Sequence, residues 1–89
     1  MTSVPDQQIR AALRSFFVKN FFFGDESIVL HDSDSFLESG TVDSTGMLEI
    51  VSFLEQHFSL TIDDRELIPD NLDSIDRLVA FVGRKQRAA

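Results

Sequence analysis

Few side chains in this sequence could do covalent chemistry, and one of them stands in an informative setting. Ser44 lies in the run Val42-Asp43-Ser44-Thr45-Gly46-Met47-Leu48-Glu49-Ile50-Val51. Asp43 is suited to cap a helix that starts there, by accepting from backbone N–H groups that have no partner within the helix. Ser44 then falls in the first turn, at the positive end of the helix dipole. A phosphate ester is electrostatically favoured at that place. Thr45 and Gly46 leave room for another protein to approach the hydroxyl. The plain alternative is that Asp43-Ser44 only caps the helix, and the dipeptide by itself does not separate the two.

The other chemically capable residues have weaker settings. Leu72-Asp73-Ser74-Ile75-Asp76 also places an Asp-Ser pair at a helix start, and capping by Asp73 or Ser74 accounts for it. Asp32-Ser33-Asp34 hints at a calcium loop, but Leu37 stands where that loop needs glycine and Asp43 where it needs glutamate. His31 and His57 stand alone, without metal-ligand spacing or a nucleophile pairing. A hydrolase built on Ser44 would need a base and a group to orient it, with only those two histidines to draw on. Cysteine is absent, which removes disulfides and thiolate metal sites. A serine with no catalytic partners points to a protein that is acted upon, and no enzymatic activity is expected of it.

The elements that must position Ser44 are readable from apolar spacing. A first helix is expected to begin at the Ser3, Pro5 and Asp6 cluster and to carry Ile9, Ala12, Leu13, Phe16 and Phe17 at helical intervals. It should end between Asn20 and Gly24. The stretch from Gly24 to Val42 reads as a long connection, with Ile28, Val29, Leu30, Phe36 and Leu37 pinning it to the core; connections this long are usually functional or carry a short turn of their own. A second helix is expected over Ser44 to His57. At about 100° per residue, Met47, Ile50, Val51, Leu54 and Phe58 share one face. Thr45, Glu49, Ser52 and Gln56 share the opposite one, and Leu48 and Phe53 fall at the core edge. Asp63 and Glu66 have capping-box spacing for a short helix that Pro69 should stop. The last helix should start near Asp73-Ser74 and bury Ile75, Leu78, Val79 and Val82. Gly83, Arg84 and Lys85 suit its C-terminus, with fraying from Gln86 to Ala89. Nine phenylalanines, five of them in Phe16-Phe17 and Phe21-Phe22-Phe23, cannot all face inward from one helix, so some are left to pack under the long connection or to face a partner.

This pattern predicts an all-α fold, a small bundle of three main helices and one short one in a single domain over residues 1–89. The net charge of −7 is unevenly placed: from Phe21 to Ser74 there are thirteen acids and one base, Arg65. That disfavours nucleic acid and favours partners with basic surfaces, although acids also serve solubility alone. No apolar run reaches membrane-spanning length, and the N-terminus has no basic-then-apolar signal pattern. A cytoplasmic monomer with no membrane insertion is expected.

From Gly40 to Asp64 the sequence resembles acyl carrier proteins and the related peptidyl and aminoacyl carrier domains. Asp43 and Ser44 match the Asp-Ser pair that opens the second helix of that family. Glu49, Ile50, Val51, Leu54, Glu55 and Phe58 match its continuation without a gap, and Leu60, Ile62 and Asp63-Asp64 extend the likeness. The resemblance implies that 4′-phosphopantetheine from coenzyme A is esterified to Ser44 by a magnesium-dependent phosphopantetheinyl transferase, with Asp43 at the transferase contact. The arm would hold an acyl or aminoacyl group as a thioester. The resemblance also implies a cargo-activating ligase and a downstream acceptor enzyme as partners, meeting Thr45, Gly46, Glu49, Ser52 and Gln56. Fatty-acid carriers usually have leucine after the serine. Thr45-Gly46 is closer to D-alanyl and other aminoacyl carriers, so small or aminoacyl cargo is expected. The competing reading is a small acidic helical interaction module with no prosthetic group; a fatty-acid-type carrier is the further alternative.

Overall fold

A computed structural model describes residues 4–88; Ser3 and Ala89, which figured in the expected helix ends, lie outside them. The first long helix, α1, spans Asp6–Asn20. Pro5 precedes it in extended conformation, and its carbonyl accepts from the N–H groups of Gln8 and Ile9 at 3.0 and 3.1 Å. Ile9, Leu13 and Phe17 form the buried stripe. The helix closes when the Phe21 and Phe22 N–H groups both reach the Phe17 carbonyl, and Gly24, at φ 83°, donates to the Val18 carbonyl.

The long connection contains a helix of its own, α2, spanning Phe36–Ser39. Ser35 caps it by accepting from the Glu38 N–H, and Gly40 ends it in the left-handed region at φ 75°. That conformation carries little steric cost for glycine. Leu30 and Phe36 are buried as expected. Ile28, Val29 and Leu37 are not: Val29 is 75% exposed, and the other two are also exposed. Beside Leu30 and Phe36, the connection is held by polar groups. Arg14 donates to the Leu30 carbonyl at 2.8 Å and pairs with Asp32. Arg10 bridges Asp32 and Asp76 at 3.0 and 3.2 Å. With the backbone fixed at Leu30 and Asp32, neighbouring apolar side chains need not turn inward.

α3 spans Ser44–His57, the bounds expected for it, with Ile50 and Leu54 at the centre of its buried face and Met47, Val51 and Phe58 flanking them. A 3-10 turn at Asp64–Glu66 comes next and carries the expected Asp63–Glu66 capping box. Pro69 does not end a helix here; it begins α4, Pro69–Leu72, at its first turn, where the N–H that proline lacks would have had no partner anyway. α5 spans Ile75–Ala88. Ser74 caps it by accepting from the Arg77 N–H at 3.1 Å.

α5 buries Ile75, Leu78, Val79 and Val82 as expected, and also Phe81 and Gly83. Gly83 therefore does not terminate it. The helix runs on because its face packs along α1 and because Gln86 exchanges two hydrogen bonds with the Val4 backbone, at 2.9 and 3.2 Å. Those bonds hold the turn that was expected to fray. The described residues are all-α, with no strand. They hold the three long helices expected; the one short helix expected at Asp63–Glu66 is the 3-10 turn, and α2 and α4 are two short helices more.

α5 lies directly against α1 and α4, while α3 is joined to the rest by large side chains. Phe17 is the hub, with ring centroids 4.7 Å from Phe36 and 4.9 Å from Phe21. Phe16 stacks on Phe53 of α3 at 4.3 Å, which makes Phe53 the core-edge residue expected. Most of the phenylalanine-rich segment is therefore the scaffold on which α3 rests. Phe23 is the exception, 90% exposed with φ 52°.

Candidate functional site at the start of the third helix

Ser44 is the first residue of α3 and is exposed. Asp43 stands before it in extended conformation, and its Oδ1 accepts from the Gly46 N–H at 2.8 Å. The Asp43 carbonyl accepts from the Met47 N–H at 2.9 Å. The aspartate is thus committed to the helix end, and the serine beside it is exposed at the positive end of the helix. A covalently attached phosphate fits there: it needs an accessible hydroxyl, and the helix terminus favours its charge.

A small apolar cleft of about 240 Å3 adjoins Ser44. It is lined by Leu37 of α2, by Met47, Leu48 and Val51 of α3, and by Leu67, Ile68, Pro69 and Leu72 from the segment around α4. Leu48, expected at the core edge, is 60% exposed. Together with the outward-facing Leu37 and Ile68 it makes the rim of this cleft apolar. Sequence reasoning did not find that rim. Leu37 and Ile68 carry no helical periodicity, and only the fold brings them beside Leu48.

On the outer surface of α3, Thr45, Glu49, Ser52 and Gln56 are all exposed and line one shallow groove with Asn20 and the Phe16–Phe53 pair. Gly46 does not belong to this face. It is buried, because the first turn of α3 packs against Phe21 and Val42. The expectation that Gly46 leaves room for a partner is corrected accordingly; the room it leaves is occupied by Phe21.

The second Asp-Ser pair has a different environment. Ser74 is 3% exposed and spent on its capping bond. Asp73 ties the start of α5 to α2, accepting from the Leu37 N–H at 3.0 Å and from the Ser35 hydroxyl. Asp32 is held by two arginines, and among the described residues no group of three His, Asp or Glu side chains is placed to hold a metal. His57 ends α3, about 20 Å along the axis from Ser44 at the usual helical rise, and its ring stacks on Phe53. It is out of reach as a base for Ser44.

Two carboxylates titrate below their ordinary range. Ser27 donates to Asp25 from its hydroxyl and its backbone N–H and lowers it. Glu66 is lowered first by the Asp63 N–H of the capping box and then by Lys85, which reaches it at 2.9 Å. Neither lies at Ser44; Glu66 and Lys85 brace the 3-10 turn against α5.

Residues 23–82 match a family model described as the phosphopantetheine attachment site. The chain belongs to this family of phosphopantetheine-bearing carrier proteins. Comparison with curated proteins and with solved structures returned no match. The matched segment runs from the end of the phenylalanine cluster through the buried stripe of α5, and so includes Ser44 and the residues that line its cleft. Its cofactor is covalent 4′-phosphopantetheine, which sets aside the reading as an interaction module with no prosthetic group. Carriers of this kind work with a phosphopantetheinyl transferase and with partner enzymes. Among the described residues no helix is long and apolar enough to cross a membrane.

Proposed function

We propose that Ser44 bears the 4′-phosphopantetheine arm and that the protein, as one carrier domain, presents an aminoacyl or other small acyl group to partner enzymes. The observation that carries this reading is the exposed Ser44 at the capped start of α3, within the matched segment. The bound arm supplies a thiol that this cysteine-free chain lacks, and holds the cargo as a thioester. The residues of the chain have supporting parts. Asp43 fixes the helix end through Gly46 N–H and stands where a transferase would dock. Thr45, Glu49, Ser52 and Gln56 offer an exposed polar stripe to the ligase and acceptor enzyme, with Glu49 meeting basic groups. No step in this account needs the chain itself to catalyse, so it is read as a carrier and not an enzyme, a cytoplasmic monomer.

The cargo reading rests on Thr45-Gly46 and on the size of the cleft. A long acyl chain would need extensive apolar shelter, at roughly 0.8 kcal/mol per buried methylene. A cleft of about 240 Å3 suits a short group, and the charged amine of an aminoacyl cargo would stay in water. The test is to load the arm with aminoacyl, short acyl and long acyl groups and compare backbone NMR spectra. Aminoacyl loading should shift residues near Ser44 and leave Ile50, Leu54 and Val79 in place. Widespread shifts at those core positions, together with efficient loading by fatty-acid enzymes, would make this a fatty-acid-type carrier.

A further inference from the structure

Gly46 sits in the interior of the first turn of α3 in an ordinary helical conformation, so its backbone does not call for glycine. Space does. A Cβ built there would lie 2.9 Å from the Phe21 ring and 3.0 Å from a Val42 methyl, well inside the distance at which carbon atoms pack. Neither neighbour has an easy retreat. Val42 is buried. Phe21 is held by its N–H bond to the Phe17 carbonyl at 2.8 Å, and its ring lies against those of Phe17 and Phe16, at centroid distances of 4.9 and 5.8 Å. The helix turn that carries Ser44 therefore rests on an aromatic ring delivered from the end of α1. The Gly46 N–H also completes the Asp43 cap from the same spot.

We propose that Phe21 and Gly46 form a positioning contact for the modified serine: the ring sets the height and tilt of the first turn of α3, and with it the place of the Ser44 hydroxyl before the transferase. This rests on reading Ser44 as the attachment residue. Elsewhere α3 is joined to α1 by the Phe16–Phe53 stack, farther along its length. The Phe21 contact is therefore the one set directly beneath the reacting end.

The effect expected of a substitution at Gly46 is opposite in sign to helix propensity. Alanine is a better helix former than glycine, so a contact without positional meaning would leave Gly46→Ala at least as well loaded as the parent. Lifting the first turn instead displaces the attacking hydroxyl, and displacements on the order of 1 Å cost orders of magnitude in rate. The experiment measures phosphopantetheine transfer from coenzyme A by a phosphopantetheinyl transferase, for Gly46→Ala, Phe21→Leu and the double variant, well below their melting temperatures. Gly46→Ala should lower kcat about tenfold or more with KM little changed, since the exposed docking stripe is intact. Phe21→Leu, which shortens the ring contact, should stay within about threefold of the parent, and the double variant should return to that level. Parent-like transfer by Gly46→Ala, or a double variant as slow as Gly46→Ala, overturns the proposal. If Gly46→Ala does not fold, Phe21→Trp tests the same contact with the glycine kept: a larger ring should lower kcat, and an unchanged kcat overturns the proposal. Peptide mapping of the loaded parent keeps the two ideas apart, because modification away from Ser44 would end the attachment reading whatever Gly46→Ala does.

Discussion

Replacing Asp43 by alanine removes the one side chain seen capping α3. The bond lost is the 2.8 Å contact from the Gly46 N–H to Oδ1, which is part-buried. Loss of an aspartate cap costs about 0.5–2 kcal/mol. The full range applies here, because Gly46 is buried while Asp43 is exposed and leaves water a route to the freed N–H. In a domain of this size about 1 kcal/mol lowers Tm by roughly 4–8 °C. Asp43→Asn keeps an acceptor oxygen in place and gives up only the interaction of the charge with the helix dipole, about 0.3–1 kcal/mol. The assay is thermal and urea unfolding of the two variants beside the parent. The order parent, Asn, Ala is expected in both. An unchanged midpoint for Asp43→Ala, or an asparagine variant as weak as the alanine variant, would refute the argument that this aspartate is the structural support of the helix that carries Ser44.

Glu49→Lys should slow association with partner enzymes and blunt its salt dependence, because Glu49 is exposed on the outer stripe of α3. Its effect on stability should stay within about 0.5 kcal/mol, and an association rate indifferent to both salt and the reversal would reduce the acidic surface to a solubility device. The Glu66 carboxyl titrates below its ordinary value of 4.5 in the fold, through the Asp63 N–H and then Lys85. Its contribution is therefore fully present above that value and is lost as pH falls through the lower folded one. Melts recorded from neutral pH to well below 4.5 should show a shallower acid decline for Glu66→Gln than for the parent. Matching acid limbs would show that the capping box and Lys85 do not favour the charged form.

The elements legible in the sequence were those whose signals are local. α3 announces itself by Asp43 at its start and by a stripe from Met47 to Phe58 that repeats at the helical period. The box formed by Asp63 and Glu66 and the cap formed by Ser74 are equally short-range. The capping role of Ser74 could be read in the same way, and the proposal of Ser44 as the attachment residue rests on the residues downstream of the two serines: Glu49, Ile50 and Val51 continue the carrier pattern after Ser44, and nothing equivalent stands after Ser74. The features that could not be read depend on residues distant in the chain. Gly46 looks like an open surface position until Phe21 is placed beneath it. Gly83 looks like a helix stop until α5 packs along α1, and Gln86 looks frayed until Val4 reaches it. Ile28 and Val29 look like anchors because they are apolar. The anchoring is done by the buried Leu30 and Phe36 and by Arg10, Arg14 and Asp32, whose pairing across α1, the connection and α5 has no periodic signature.

The most direct test of the account is to locate the phosphopantetheine. The parent, Ser44→Ala and Ser74→Ala are each incubated with coenzyme A and an active phosphopantetheinyl transferase, then analysed by intact mass and peptide mapping. The account predicts one phosphopantetheine increment on the parent, mapped to Ser44, and none on a folded Ser44→Ala. Ser74→Ala, which loses only a cap worth about 0.5–2 kcal/mol, should load like the parent. An increment that persists in Ser44→Ala, or that maps to Ser74, would contradict it.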